Sequence, residues 1–251
     1  MSALGVIPAD TLPAQANELR SRVAGIRWRD VAADLDAQGA ATIEGLLTPA
    51  QCEALVSLYT RDEAFRSRVV MSRHGFGQGE YRYLRYPLPP LIAALRAAFY
   101  EQLAPIANRW HETMGHAVRF PGSHEAFIAR CHAAGQTKPT PLLLHYEAGD
   151  YNCLHQDLYG EHVFPLQLVM LLSQPGRDFE GGEFVMTEQR PRMQSRAMVL
   201  PLEQGDAAVI AVSQRPVRGA RGFYRVNLRH GVSRVHSGVR TTAGIIFHDA
   251  A

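Results

Sequence analysis

The second half of this 251-residue chain consists of short apolar or alternating runs separated by glycine, proline and aspartate. Examples are TPLLLHYEAG, FPLQLVMLLS, GGEFVMTEQ and RTTAGIIFHD. Each run has the length of a strand and is too short for a typical helix, and turn residues bound it. Many short strands in this arrangement are typical of an antiparallel sandwich or jelly roll. We therefore predict a double-sheet β core over residues 140–248.

Residues 1–135 have a different, mainly helical pattern. The stretch from Leu12 to Gly39 carries apolar residues at helical spacing and ends at a glycine. Thr48 followed by Pro49 predicts another helix start, preceded by a short strand in AATIEGLL. A long helix, PPLIAALRAAFYEQLAPIANRWHETMG, is expected to be interrupted or kinked at Pro105. We predict one α+β domain over residues 1–251, with the N-terminal helices packed on one sheet.

Composition excludes several classes of protein. A net charge of +2 and 46% hydrophobic residues describe an ordinary globular chain, whose overall charge does not demand a nucleic-acid partner. Three cysteines without a CxxC pattern build neither a disulfide framework nor a zinc knuckle. The N-terminus lacks the features of a signal peptide, and no window of 18 apolar residues occurs. We expect a cytoplasmic protein with no membrane contact and no obligate protein partner.

The tripeptide His155-Gln156-Asp157 holds an imidazole and a carboxylate two residues apart. On a helix these side chains would diverge by about 200°, whereas on a strand they point to the same face. The spacing therefore suits two metal ligands on an extended segment, although a surface pair on a β-turn is the alternative. His230 and His236 are candidates for a third ligand. Two histidines and one carboxylate form the facial triad of non-haem Fe(II) oxygenases, which leaves metal positions open.

The order His155-Gln156-Asp157, then His230, then Arg240 ten residues on, resembles the 2-oxoglutarate- and Fe(II)-dependent dioxygenases. The segments HYEAGDYNCLHQD, GGEFVM, PLEQGDAAVIA and HGVSRVHSGVR are similar to those of the prolyl-hydroxylase-like branch, over about residues 140–248. The resemblance implies a double-stranded β-helix, the jelly roll of cupin-like proteins. It also implies that His155, Asp157 and His230 are catalytic iron ligands. With His236 as the ligand instead, Arg240 would follow only four residues later, which does not suit the family.

By the same resemblance, Arg240 grips the distal carboxylate of 2-oxoglutarate, with Thr242 and Tyr146 beside it. Arg240 and Thr242 share one face of a strand, and a guanidinium next to a hydroxyl suits a carboxylate. The implied chemistry uses Fe(II), 2-oxoglutarate and O2, is supported by ascorbate, and gives succinate and CO2. The iron-centred oxidant abstracts hydrogen from a substrate C–H bond, and an N-methyl carbon would leave as formaldehyde.

Residues 65–90, FRSRVVMSRHGFGQGEYRYLRYPLPP, interleave arginines with aromatic residues and carry three glycines. One interpretation is a flexible loop that closes over an active site and contacts phosphates and bases. The alternative is a packed hairpin with half-buried tyrosines and solvated arginines. The candidate substrate residues are Arg73, Tyr81, Arg82, Tyr83 and Arg85. A second basic stretch, QRPVRGARGFYR, precedes His230 and is either a further contact or a solvated loop.

The whole chain resembles a bacterial family of 2-oxoglutarate oxygenases described as acting on alkylated, damaged nucleic acid. This resemblance predicts oxidative demethylation of alkylated DNA, with single-stranded or damaged DNA as the partner. The chain departs from the classical alkylation-repair dioxygenases, which carry an RxNxTxR strand, because RTTAGIIF has a single arginine. Two alternatives therefore stay open: a hydroxylase of a protein side chain or small molecule, and a non-catalytic β-barrel binding module.

Overall fold

A computed structural model describes residues 11–251, with side chains from Glu18 onward. The prediction that the first residues form no signal peptide lies largely outside this range. The described residues form five α-helices, which are α1 (Thr11–Ala24), α2 (Trp28–Gln38), α3 (Pro49–Leu58), α4 (Pro90–Thr113) and α5 (His124–Ala133). None of these helices is long and apolar enough to cross a membrane.

Fifteen strands accompany the helices in the described part of the chain. The first eight are β1 (Ala40–Ile43), β2 (Phe65–Val70), β3 (Gly77–Gln78), β4 (Glu80–Leu84), β5 (Leu142–Tyr146), β6 (Tyr151–His155), β7 (Leu166–Leu171) and β8 (Phe179–Gly181). The others are β9 (Phe184–Gln189), β10 (Ser195–Leu200), β11 (Ala207–Ala211), β12 (Gln214–Gly219), β13 (Gly222–Val232), β14 (Val235–Gly238) and β15 (Arg240–Ile246).

The strands form two facing antiparallel sheets and one small ribbon. The major sheet has seven strands in the order β1-β11-β7-β15-β5-β4-β2. The minor sheet has the order β10-β9-β13-β6-β3, and β12 pairs with β13 at its side. The ribbon consists of β14 and β8. In the major sheet, β15 lies between β7 and β5, and β1 pairs with β11, so distant parts of the chain become neighbours as in a jelly roll. The predicted double-sheet core is confirmed.

The helix boundaries follow the local sequence signals in most places. α2 ends at Gly39, which has a φ of 78° and donates its N–H to the Leu35 carbonyl at 2.9 Å. At α3, the Thr48 hydroxyl accepts from the Gln51 N–H, and the Gln51 side chain accepts from the Thr48 N–H. The predicted stretch up to Gly39 is two helices, because the chain turns between α1 and α2. α4 continues through Pro105 as a single helix.

The helices cover the outer face of the major sheet. On α4, the buried Arg96 donates through Nε to the Ile246 carbonyl on β15 at 3.0 Å and pairs with the Asp249 carboxylate at 2.8 Å. An aromatic cluster lies beside this pair, with the Phe164 ring 5.0 Å from Tyr100 and 5.3 Å from Phe247. The inner face of the sheet is thereby left to face the minor sheet, where a cavity lies.

The N-terminal part contributes more strand than its sequence pattern indicates. β1 pairs with β11, and β4 pairs with β5, so both strands extend the major sheet. Residues 65–90, expected as a flexible loop, contain the β2–β4 hairpin at the edge of that sheet. Alternation explains the difference, since Tyr81 and Tyr83 face inward while Arg82 faces outward. The structure therefore has the packed hairpin that was the alternative interpretation.

Candidate active site

Three predicted ligand side chains meet between the two sheets. His155 ends β6, Asp157 follows two residues later, and His230 lies on β13 directly opposite His155. Their candidate ligand atoms all lie within 4.8 Å of one another. The Asp157 carboxylate is 3.6 Å from His155 Nε2 and 3.4 Å from His230 Nε2. Two imidazoles and one carboxylate thus converge on one point.

The convergence point is buried, and the burial sets the charge states of its members. Asp157 is 7% exposed and His230 is 4% exposed. Burial raises the pKa of the Asp157 carboxyl, but the hydrogen bond and charge of His230 and the charge of His155 outweigh it and hold the pKa below its usual range. Burial and the neighbouring His230 lower the pKa of His155. The Asp157 carboxylate is therefore ionised, which is the form that binds a metal ion.

Neighbouring groups hold the three side chains in place. His155 Nδ1 lies 2.8 Å from the Cys153 carbonyl, so an Nδ1–H donated there leaves Nε2 free to face the cluster. The Tyr159 hydroxyl donates to Asp157 Oδ1 at 2.9 Å. The Phe184 ring stacks on His230 at 5.8 Å between centroids. The ligand set is thus oriented by a backbone carbonyl, a hydroxyl and an aromatic ring.

The other histidines lie away from this point. His236, the alternative third ligand, is exposed on β14 and does not belong to the cluster. His145 stacks on Tyr59 with centroids 4.9 Å apart. His248 is buried, and its Nδ1 accepts from the Phe164 N–H at 3.2 Å. Geometry therefore favours His230 over His236 as the partner of His155 and Asp157.

Arg240 begins β15 and points into the same space. Its side chain is buried, and its Nε and Nη1 have no hydrogen-bond partner among the described residues. Burial lowers the pKa of the guanidinium to about 10, against the opposing influence of Tyr146 and Glu183, so it remains a cation at neutral pH. Its carbon Cζ lies 5.6 Å from the Tyr146 ring centroid. A buried, unpaired cation of this kind requires an anionic ligand.

A cavity of about 320 Å³ joins Arg240 to the three candidate ligands. Tyr146 and Thr242, predicted to accompany Arg240, also line it. Most of its wall is apolar or aromatic. The exposed side chains Phe76 and Leu154 mark its opening to solvent. The predicted iron and cosubstrate residues are therefore brought together in one partly closed chamber.

The predicted substrate residues separate into two groups. Tyr81 and Tyr83 line the cavity, with their ring centroids 5.4 Å apart. Arg82 faces away, pairs with Asp62 at 2.6 Å and lies over the Tyr59 ring. Arg73 and Arg85 are exposed and lie outside the cavity wall. The alternation of β4 thus assigns the tyrosines to the chamber and Arg82 to the packing of the hairpin.

The second basic stretch is the β12–β13 hairpin. Arg215 is buried there, pairs with the Glu188 carboxylate and donates to the Asp36 carbonyl at 2.7 Å. Arg225 donates to the Met114 carbonyl at 2.6 Å. These two arginines serve packing. Arg218 and Arg221 lie near the turn of the hairpin, away from the cavity wall.

Tyr159 and Gln167 are polar cavity residues that the sequence analysis did not predict. Tyr159 lies two residues beyond Asp157, so the i, i+2 relation that joins His155 to Asp157 continues for one more step. Gln167 is the one polar side chain within the apolar run FPLQLVMLL, and it is 4% exposed. An isolated polar residue inside a buried strand was the available signal, because such a group requires a partner.

Comparison with known proteins agrees with this geometry. A family model named Oxygenase-NA, described as "Oxygenase, catalysing oxidative methylation of damaged DNA", matches residues 79–250. Two uncharacterized proteins from two strains of Mycobacterium tuberculosis are each 50% identical to the chain over 165 residues, which covers 66% of this chain and 71% of the relative. The residues that the family model matches include β4 and all strands from β5 to β15.

Solved structures share the fold at low sequence identity. A Pseudomonas putida prolyl-4-hydroxylase is 14% identical, with a TM-score of 0.53 and coverage of 89% of this chain and 99% of that one. A Trichoplax adhaerens prolyl hydroxylase, in complex with a hypoxia inducible factor peptide, is 12% identical, with a TM-score of 0.56 and coverage of 92% and 90%. A 2OG-Fe(II) oxygenase family oxidoreductase from Burkholderia pseudomallei is 16% identical, with a TM-score of 0.51 and coverage of 90% and 94%.

Proposed function

We propose, from the premise that this chain belongs to the Oxygenase-NA family of 2-oxoglutarate- and Fe(II)-dependent oxygenases, that it oxidatively demethylates alkylated nucleic acid. One observation carries the proposal. His155, Asp157 and His230 converge within 4.8 Å in a cavity that also holds the unpaired guanidinium of Arg240. A metal site and an anion site in one chamber match the needs of an oxygenase that uses an oxo acid.

The three side chains fit Fe(II) by number, donor type and orientation. Two imidazole nitrogens and one carboxylate oxygen are the facial set that leaves coordination positions open. His155 presents Nε2 because its Nδ1 is engaged with the Cys153 carbonyl. Asp157 presents one oxygen while Tyr159 binds Oδ1. In this proposal His155, Asp157 and His230 hold the iron.

Arg240 fits the distal carboxylate of 2-oxoglutarate. Its Nε and Nη1 are buried and unpaired among the described residues, and a carboxylate can accept hydrogen bonds from the guanidinium. Thr242, two residues along β15, faces the same cavity and can add a hydroxyl. The Tyr146 ring beside the guanidinium keeps water from this end. Arg240, Thr242 and Tyr146 are therefore the proposed cosubstrate site.

Iron with 2-oxoglutarate and O2 supplies an oxidant that can remove hydrogen from a substrate C–H bond, and ascorbate keeps the iron reduced. The protein contributes position and exclusion. Phe184 and Val169 line the cavity and keep water from the reacting groups, while Tyr159 fixes Asp157. A hydroxylated N-methyl carbon leaves as formaldehyde without further help from a side chain.

Three observations support nucleic acid as the substrate class. The matched family is described as acting on damaged DNA. Tyr81 and Tyr83 place aromatic rings in the chamber wall, where a base can stack. Arg73 and Phe76 are exposed, Phe76 lies at the opening, and both can contact a strand from outside. The cavity has room for one extruded or single-stranded nucleotide base, not for a duplex.

A second candidate is hydroxylation of a protein side chain or small molecule. The single arginine of β15 lies ten residues after His230, a spacing that differs from the paired-arginine strand of alkylation-repair dioxygenases. The apolar part of the cavity wall also suits an aliphatic substrate. A non-catalytic binding module is not supported, because the matched family is one of oxygenases.

The test measures succinate and formaldehyde from protein supplied with Fe(II), 2-oxoglutarate and ascorbate. Single-stranded oligonucleotides with and without N-methylated bases are the substrates. We expect formaldehyde that requires both the methyl group and His155. His155→Ala and Asp157→Ala remove the activity, whereas His236→Ala, which alters an exposed histidine outside the cluster, retains it.

If succinate forms but no methylated oligonucleotide releases formaldehyde, nucleic-acid demethylation is contradicted and the hydroxylase alternative is favoured. Activity that survives His155→Ala and is lost in His236→Ala would contradict the ligand assignment. Salt dependence separates the two substrate classes further, because binding through phosphates weakens steeply as salt rises.

A further inference from the structure

We propose that Gln167 is a specificity-determining residue for the substrate. Its carboxamide hydrogen-bonds the donor–acceptor edge of a methylated nucleobase, and the methyl group of that base then faces the iron ligands. This inference rests on the proposed function and deepens it by naming the substrate class at one position. It assigns a binding role to a residue that lies outside the iron and cosubstrate sets.

Gln167 is a polar side chain in an apolar strand. It lies on β7, where every residue is buried, and it is 4% exposed. Its Oε1 is buried and has no hydrogen-bond partner among the described residues. Leaving such an oxygen unpaired is unfavourable, because it has lost its contact with water and gained no other. A buried carboxamide oxygen that lines a cavity and has no partner among the described residues indicates a partner that arrives with a ligand.

The cavity has two such side chains outside the triad, and they lie at opposite ends. Arg240 is one, and Gln167 is the other. Gln167 pairs with Ile246, six residues along β15 from Arg240, which corresponds to about 20 Å between their backbones. The two unpaired groups are therefore too far apart to bind the same small ligand, and each requires a ligand of its own.

The iron ligands lie at the Gln167 end. The Gln167 amide nitrogen is 3.5 Å from His230 Nε2, the atom that faces Asp157. The cosubstrate must reach from this point to Arg240, so it occupies the stretch of cavity between them. Gln167 is left beside the metal on the far side from Arg240. The carbon to be oxidised must lie next to the metal, so Gln167 is placed to touch the group that carries it.

A carboxamide is complementary to a particular kind of group. It offers one acceptor and one donor in a plane. This pair is complementary to the N6/N7 edge of adenine, which glutamine contacts in nucleic-acid recognition. The C–H bonds of a prolyl ring or an aliphatic chain cannot satisfy it. The aromatic face of Tyr83 is part of the same wall and can stack on a planar base. Planarity and edge pairing together favour a nucleobase.

The test compares Gln167→Leu with Gln189→Leu. Leucine has a similar size, and replacing a buried unpaired amide by an apolar group preserves folding. Gln189 is exposed on β9 and receives the same chemical change outside the cavity. The probes are labelled single-stranded oligonucleotides with one N-methylated adenine or cytosine, and their unmethylated counterparts. Binding is measured by anisotropy with Mn(II) and 2-oxoglutarate, beside the affinities for Mn(II) and for 2-oxoglutarate alone.

We expect Gln167→Leu to weaken methyl-dependent oligonucleotide binding at least about tenfold, the loss typical of one base-edge contact. The affinities for Mn(II) and 2-oxoglutarate should stay within about twofold of those of the unaltered protein. Gln189→Leu should behave as the unaltered protein in every measurement.

Two results overturn the inference while leaving the proposed function intact. In one, Gln167→Leu binds methylated oligonucleotide as tightly as the unaltered protein. In the other, it loses Mn(II) or 2-oxoglutarate affinity to the same extent, which would make Gln167 a support of the iron site. If the unaltered protein shows neither methyl-dependent binding nor formaldehyde release, the proposed function fails, and the role of Gln167 in base recognition fails with it.

Discussion

His155 and His230 are direct partners across the β6–β13 ladder, with ring centroids 4.3 Å apart. Partners in an antiparallel pair project their side chains to the same face. The ladder therefore fixes the distance between the two imidazoles before any metal binds, and Asp157 joins them from the segment that leaves β6. The two histidines are therefore positioned by the pairing of β6 with β13, whereas Asp157 lies just beyond the end of β6.

Replacing the carboxylate of this site should abolish tight metal binding while leaving the fold in place. Asp157→Asn removes the negative charge but keeps the size, so we expect Mn(II) affinity to fall at least about 100-fold. Titration calorimetry at neutral pH provides the measurement, and the far-UV circular dichroism spectrum provides the check on folding. Asp150→Asn is a control outside the cluster. Unchanged Mn(II) affinity in Asp157→Asn would show that the metal binds elsewhere.

Tyr159 should tune the metal site through its hydrogen bond to Asp157. Tyr159→Phe removes the hydroxyl that donates to Oδ1 at 2.9 Å and leaves the ring. Loss of such an orienting partner typically weakens metal binding about 10–100-fold. Mn(II) affinity and the electron paramagnetic resonance spectrum of the bound ion are the readouts. Tyr81→Phe removes another cavity hydroxyl and should leave both unchanged. Equal effects of the two substitutions would argue against a specific role for Tyr159.

Gly182 should control the position of Arg240. A Cβ at Gly182 would lie 2.8 Å from Arg240 Cδ, so Gly182→Ala displaces the guanidinium. Gly176 is a matched control, because its φ of 74° is close to the 62° of Gly182. No atom lies within 4 Å of a Cβ added at Gly176. We expect Gly182→Ala to raise the dissociation constant for 2-oxoglutarate about tenfold or more, because a bidentate contact is lost. Gly176→Ala carries similar backbone strain and should retain 2-oxoglutarate affinity. Similar losses in both variants would indicate general destabilisation.

The free energy of unfolding should decrease as the pH is lowered from about 6.5 to about 4. Burial and the charge of Arg96 lower the pKa of His124 to about 4, below the 6.5 of an unfolded histidine. In this window the unfolded chain binds the extra proton, so the contribution of His124 is complete above pH 6.5 and is lost as pH falls towards 4. Denaturant unfolding at several pH values measures the slope. His124→Gln should make it shallower by up to about 1 kcal/mol per pH unit.

The control for this prediction is His236→Gln, which alters an exposed histidine and should keep the slope of the unaltered protein. Part of the dependence should remain in His124→Gln, because burial also lowers the pKa of His248 to about 4. A slope that does not change in His124→Gln would show that folding does not lower the pKa of His124.

The fold class and the candidate ligand set could both be predicted from the sequence. Short strands bounded by turn residues specify a double-sheet core, since each run can bury one or both faces only within a sheet. The i, i+2 spacing of His155 and Asp157 specifies one face of an extended segment. The resemblance to the prolyl-hydroxylase-like branch, with Arg240 ten residues after the distal histidine, favoured His230 over His236. The geometry agrees, since His230 lies in the cluster with His155 and Asp157.

Tertiary structure decided the roles of residues whose local pattern was ambiguous. Interleaved arginine and tyrosine in residues 65–90 indicate either a loop or a hairpin, and pairing of β4 with β5 selected the hairpin. That pairing sends Tyr83 into the cavity and Arg82 to Asp62. Propensity over five residues cannot specify this outcome, because strand pairing depends on a partner about 60 residues away.

Gln167 is a second residue whose surroundings could not be predicted from local sequence. Its sequence context marks it as a buried polar residue, but its partner atoms and its distance to His230 arise only when β7 and β13 face each other across two sheets. Local sequence determines which groups a strand presents, since side chains alternate by geometry. Which of those groups share a chamber depends on strand order, and strand order is a property of the whole chain.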